Sequence, residues 1–183
     1  SGGNFHGEPL ALALDYLGLA VSEVGSFSER RTARLVDGRL SGLPEFLTVT
    51  RGLDSGMMIP QYVAADLASE NKLLASPASA GSLPTSANQE DFNSMGSISA
   101  RKLDTMMDNL EHILAIEILC AAQAVEFHHV EPGRGTRRAL DFIRNGVERL
   151  TDDRSLSPDI EWISENIRNG KLLDWVEEET PLK

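Results

Sequence analysis

The chain has 183 residues, 28 acidic against 17 basic side chains, a formal net charge of -11, and 41% hydrophobic residues; this is enough apolar material for a sizeable core and excludes both a disordered chain and a disulfide-stapled miniprotein. The acidity argues against a nucleic-acid partner, which calls for a basic patch, and the longest apolar runs are broken by Asp15 or Glu117 before the roughly 18 residues of a membrane span. Cys120 is the only cysteine, so no internal disulfide is available and a cytoplasmic location is expected.

Ser1 is followed by Gly2, Gly3 and Asn4, without the charged and apolar regions of a signal peptide, and the chain is expected to be part of something longer. From Pro9 to about Val36, Leu10, Leu14, Leu17, Val21, Val24, Phe27 and Leu35 recur at helical spacing, with Pro9 at a permitted first-turn position. Residues 10–21 carry Asp15 as their one charged group, and a helix apolar all round needs neighbours on every side. Residues 28–34 read as charged and exposed, and Asp37-Gly38 reads as the stop, with the glycine in a left-handed cap. Residues 39–58, punctuated by Gly42, Pro44, Gly52 and Gly56, read as an ordered excursion.

A second helix is expected over residues 60–75. Residues 76–88 are rich in Ser, Ala, Gly and Pro and by composition alone read as a flexible linker, but the motif that follows at 82–91 makes an ordered segment the expectation, since Gln89 and Glu90 must be carried to a fixed point. A third helix, residues 97–127, has Leu103, Met106, Met107, Leu110, Ile113 and Leu114 on one stripe and then a nearly continuous apolar run, residues 114–125, broken by Glu117 and Gln123. At about 1.5 Å per residue it is more than 40 Å long, which suggests burial in a multi-chain bundle. Three shorter helices follow, at residues 136–150, 157–169 and 172–178, with Ser157-Pro158 and Glu161 as a capping signature and Asn169-Gly170 as a stop. The fold class is all-α, and no strand is expected. Residues 1–128 form the bundle helices with their loops, and residues 129–183 the small helices packed on the same unit.

Most chemical candidates have a plainer explanation. His128-His129 with Glu126 and Glu131 lacks the i, i+4 ligand spacing of helical zinc sites and reads as a surface helix end, so no metal is expected. Cys120 reads as a small core residue, and Met57-Met58 and Met106-Met107 as core or interface. Asp15 and Glu117, lone acids on apolar helices, read as halves of ion pairs with a neighbouring chain's arginines.

Two segments resist that treatment. A glycine-rich loop, Ser-Gly-Gly-Asn-Phe-His-Gly-Glu-Pro at 1–9, delivers Asn4, Phe5, His6 and Glu8 to the start of the first helix. The second, Ser-Leu-Pro-Thr-Ser-Ala-Asn-Gln-Glu-Asp at 82–91, packs amides and carboxylates between the small-residue loop and the longest helix. Together with Gly-Ser-Phe-Ser-Glu-Arg-Arg at 25–31, these motifs closely resemble the histidine ammonia-lyases of the aromatic amino acid ammonia-lyase family; Ala-Ala-Asp-Leu-Ala-Ser-Glu-Asn-Lys at 64–72 and Leu-Ala-Ile-Glu at 114–117 are similar to the same family.

The resemblance implies a helical homotetramer with each active site assembled from several subunits. It implies elimination of ammonia from an aromatic amino acid by a methylidene-imidazolone prosthetic group, made by cyclisation of an internal Ala-Ser-Gly, and for this chain the expectation is the C-terminal part of an enzyme that converts L-histidine to urocanate and ammonia. It gives Phe5 a place near substrate and electrophile. Glu90 matches the carboxylate that histidine-specific members place near the substrate imidazole, where relatives acting on phenylalanine typically carry glutamine; His6 and Gln89 join it as expected substrate-binding residues, and Glu90 is also the catalytic candidate. No Ala-Ser-Gly occurs in this sequence, the nearest string being Ala78-Ser79-Ala80-Gly81, so the prosthetic group is expected to form outside this chain. The partners implied are copies of the chain and a missing N-terminal part of the enzyme. Two alternatives stay open: a non-catalytic helical assembly module, and a lyase or aminomutase acting on tyrosine or phenylalanine.

Overall fold

The computed structural model describes residues 2–50, 52–128 and 131–181. The helices are α1 (Glu8–Val36), α2 (Gly38–Ser41), α3 (Met58–Leu74), α4 (Gly96–Val125), α5 (Arg134–Gly146), α6 (Ser157–Arg168) and α7 (Lys171–Glu177). No β-strand forms among the described residues, and an isolated antiparallel bridge joins Thr85 and Glu90. The chain divides into two compact units, one built from residues up to Ser26 with Asp66–Leu110, the other from Phe27–Ala65 with the chain from Glu111 onward. The three long helices therefore each contribute a segment to both units.

In the first unit, Ala11 and Val21 of α1 and Met106 and Leu110 of α4 are buried beside a polar interior. Asn71 of α3, fully buried, donates from Nδ2 to the Met106 carbonyl at 3.1 Å and accepts from Asn109 Nδ2 at 3.0 Å. Buried amides persist where every polar atom finds a partner, and these fix the register of α3 on α4.

The second unit holds the larger apolar core: Val36, Leu47, Met57, Ala64, Ala115, Ile116, Leu119, Cys120, Leu140, Ile143, Val147 and Ile163. The run at residues 114–125, expected to need another chain, is thus largely covered by residues of its own unit. Gln123, 1% exposed, donates from Nε2 to the carbonyls of Leu47 and Leu150 at 3.2 and 2.8 Å and accepts the Leu150 N–H at 3.1 Å. One side chain thereby satisfies buried backbone of two segments outside the α-helices. Cys120 is fully buried, and burial, with a further contribution from the Glu117 charge, pushes its thiol up to about 12, so it stays a protonated core residue.

Several expectations are corrected. Residues 28–34 are not an exposed face: Ser28, Glu29 and Thr32 are buried. Ser28 donates to Glu117 at 2.6 Å, Arg31 donates to the same carboxylate, and Gln61 donates to Glu29 at 2.9 Å. Burial pushes the Glu29 carboxyl up, but the Arg30 guanidinium and the Gln61 amide bring it below its usual value. Asp15 and Glu117 find their cations, Lys102 and Arg31, within this chain rather than in a neighbour. Gly38 does not close α1 in a left-handed cap. It opens α2 behind Asp37, which accepts the Arg39 N–H, and Gly42 takes the left-handed cap at φ 73°. A Cβ at residue 38 would sit 2.7 Å from the Leu43 carbonyl oxygen, so close approach demands the glycine. The α6 capping reading shifts by one residue: Leu156 is the cap without a side-chain bond, Ser157 and Pro158 lie in the first turn, and Glu161 faces His112. Helix α1 is, by length and composition, apolar enough to cross a membrane despite Asp15; within its unit, however, Asp15 is buried and bonded to α4.

Candidate functional site

The site is built from two loops of the first unit. The first wraps on itself before α1: the Phe5 and His6 N–H groups donate to the Gly2 carbonyl at 3.0 and 3.3 Å, and Gly7 turns at φ 75°. This leaves the Phe5 ring 83% exposed and folds His6 back, its imidazole edge-on to Phe5 with centroids 5.1 Å apart.

The second loop runs from Ala75 to Met95 and includes residues 76–88, whose composition alone suggests a flexible linker. It is anchored instead. Asp15 of α1, buried, accepts the Ser79 N–H at 2.8 Å and Lys102 Nζ at 3.0 Å, while Lys102 also donates to the Ser76 carbonyl. Burial pushes the Asp15 carboxyl up; the Ser79 N–H and hydroxyl and the Lys102 ammonium outweigh it and hold the group at about 2. Further along, Asn93 donates its N–H to Ser82 Oγ and its side-chain amide to the Leu83 carbonyl, both at 2.7 Å.

Between those anchors Ser86, Ala87 and Asn88 lie consecutively in the left-handed region at φ 51°, 54° and 70°. Such a turn without glycine costs on the order of 1–2 kcal/mol per residue, and strain of this kind concentrates at functional sites. Its product is the placement of Gln89, exposed, and Glu90, whose backbone is locked to Thr85 by two hydrogen bonds of 2.9 and 3.3 Å.

The two loops meet at a side-chain contact. His6 Nε2 lies 2.8 Å from Glu90 Oε2, and the Ser94 hydroxyl donates to the His6 carbonyl. Phe5, His6 and Glu90 are thereby brought onto one wall, with Gln89 beside Glu90 on the strained turn. Glu126 and Glu131 instead face arginines: Glu126 meets Arg144 and Arg149 at 2.7 and 3.3 Å, and Glu131 pairs with Arg137. His129, the other half of the histidine pair considered as a ligand, lies outside the described residues. Sequence reasoning missed Asp15, Lys102, Asn93 and Ser94 as supports of the site. Only Asp15 carried a signal, a carboxylate on an otherwise apolar helix.

The model of the aromatic amino acid lyase family matches residues 1–145. The chain belongs to the aromatic amino acid lyase family. Among its relatives, the histidine ammonia-lyase of Symbiobacterium thermophilum is 57% identical over 180 residues, covering 97% of this chain and 35% of the relative, and that of Alkaliphilus metalliredigens is 53% identical with the same coverage. Among solved structures, histidine ammonia-lyase from Trypanosoma cruzi superposes with a TM-score of 0.92 at 42% identity, over 97% of this chain and 35% of that one. Tyrosine aminomutase from Streptomyces globisporus superposes with 0.94 at 36% identity, over all of this chain and 35% of that one. The chain spans about a third of the length of the relatives it matches. Its all-α fold is that of aromatic amino acid lyases and aminomutases.

Proposed function

We propose that this chain is the C-terminal portion of a cytoplasmic histidine ammonia-lyase, which removes the α-amino group and a β-hydrogen of L-histidine to give urocanate and ammonia. The observation that carries the reading is Glu90: a carboxylate set on a strained, doubly anchored turn, with an imidazole, that of His6, already 2.8 Å from one oxygen. A carboxylate suited to one imidazole N–H suits another, and an ionised acceptor rewards the polarised ring of histidine as no phenyl group could. Phe5, largely exposed, supplies an aromatic face for the substrate ring, and Gln89 an amide beside Glu90.

In the complete enzyme a methylidene-imidazolone, formed on an Ala-Ser-Gly outside this chain, supplies the electrophile that makes the amine a leaving group. The residues here fit a wall facing such a group: a free aromatic face and an acceptor, with no Ala-Ser-Gly of their own. Their work is to bind and orient the ring; Glu90 is also placed to hold a proton at its carboxylate. Because the wall is open, copies of the chain and the preceding part of the polypeptide are the proposed partners that enclose it, in a homotetramer.

The test is urocanate formation, followed by ultraviolet absorbance, for the complete polypeptide and for this chain alone. Turnover of L-histidine by the complete protein and none by the chain alone is expected. A complete protein that ignores L-histidine overturns the reading. Preference for tyrosine would favour the aminomutase alternative, which the similarity to the S. globisporus structure supports; no turnover of any amino acid would favour the assembly module.

A further inference from the structure

We infer that His6 is a positioning residue that acts on the reaction through Glu90, fixing the carboxylate by one oxygen so that the other is presented to the substrate ring. The inference rests on the proposed histidine-deaminating reading and assigns His6 a place behind Glu90 rather than against the substrate.

The geometry is specific. His6 Nε2 and Glu90 Oε2 are 2.8 Å apart across 84 residues of sequence. The His6 side chain is 18% exposed and that of Glu90 34%, so the histidine is the inner partner and the carboxylate the outer one. Among the described residues Oε1 has no partner. An ionised carboxylate only accepts, so the hydrogen between them belongs to Nε2.

Each partner is held from its own backbone. The His6 N–H is bonded to Gly2, its carbonyl receives the Ser94 hydroxyl, and its ring abuts Phe5; the Glu90 main chain is bonded both ways to Thr85. With both backbones fixed, the Nε2 to Oε2 bond removes the remaining rotational freedom of a three-torsion side chain. Binding geometry of this kind must be held to within about half an ångström to be productive, and an unsupported glutamate at a third of full exposure would sample several rotamers.

The test uses the complete enzyme with His6→Leu, His6→Gln, Glu90→Gln and the double variant His6→Leu/Glu90→Gln. Leucine removes the donor; glutamine retains one that can reach Oε2. His6→Leu is expected to lower kcat/KM for L-histidine about 10–100-fold, the range for losing one charge-assisted hydrogen bond. His6→Gln should recover most of that loss, and His6→Leu should cost little more once Glu90 is already glutamine. A crystal structure of His6→Leu should place the Glu90 carboxylate in a different or mixed rotamer. Losses that multiply in the double variant, a glutamine no better than leucine, or an unmoved Glu90 carboxylate in the His6→Leu structure would each overturn the inference. A wild-type enzyme that does not turn over L-histidine sinks the proposed function and with it the substrate-facing role; the rotamer of Glu90 still decides whether His6 holds it.

Discussion

Glu90→Gln isolates the charge at the centre of the site. The substitution keeps volume and one acceptor while removing the negative charge, so packing is nearly conserved and the change is electrostatic. In the complete enzyme, kcat/KM for L-histidine should fall about 10–100-fold from the lost charge-assisted hydrogen bond, and by about two to four decades in all if Glu90 also moves a proton. Phenylalanine should be affected much less, and the melting temperature should barely move, because Glu90 lies at the surface of its unit. Equal losses for both substrates would remove Glu90 from ring recognition. Glu90 stands out as a candidate in the sequence alone because its motif is contiguous. Its contact with His6 was not, because a hydrogen bond between residues 84 apart depends on how two loops fold onto each other.

At the scale of elements, the first part of the loop between α3 and α4 is pinned by one buried ion pair, Asp15 with Lys102. Although burial pushes the Asp15 carboxyl up, the Ser79 N–H and hydroxyl and the Lys102 ammonium hold it at about 2 in the folded chain, against an ordinary carboxylate value of about 3.9. A depressed carboxylate stabilises the fold above its unfolded pKa, and the stabilisation disappears as pH falls from about 4 through 2. At about 1.4 kcal/mol per unit, the group contributes about 2 kcal/mol at neutral pH, with little solvent screening because its side chain is 5% exposed. Asp15→Asn should therefore lower stability at pH 7 by roughly that amount or more, since it leaves Lys102 with one partner fewer. The gap between variant and wild type in chemical denaturation should narrow below pH 4. A gap that is constant from pH 7 to pH 2 would refute the assignment. Helix type and order along the chain were legible from apolar periodicity, because α1, α3 and α4 repeat it over many turns. Composition misleads at residues 76–88 because Ser and Ala are as compatible with a loop pinned by Asp15 as with a free one, and the pin comes from another element. The same reason hides the burial of Ser28 and Glu29, whose partners Glu117 and Gln61 lie on α4 and α3.

For the whole molecule, the decisive feature is apolar surface that this chain leaves uncovered. The two apolar runs that look alike in sequence have different fates. Residues 114–125 are largely covered by residues of their own unit, with Ala115, Ile116, Leu119 and Cys120 in its core. In α1, by contrast, Leu10 is 70% exposed, Leu12 54% and Tyr16 77%, and Leu73 at the end of α3 is 77% exposed. A turn-by-turn display of large apolar side chains on one helix exceeds the scattered exposure normal for a monomer and marks an association surface. The chain is therefore expected to self-associate at micromolar concentration, and sedimentation velocity checks this directly. Replacing Leu12 and Tyr16 with glutamate puts charge where the surface must be desolvated while leaving the buried positions Ala11 and Asp15 intact, so the double variant should shift to the monomer with its helical circular dichroism retained. A wild-type chain that sediments as a clean monomer, or a double variant that assembles as well as the parent, would show that α1 is not the surface through which copies of this chain meet.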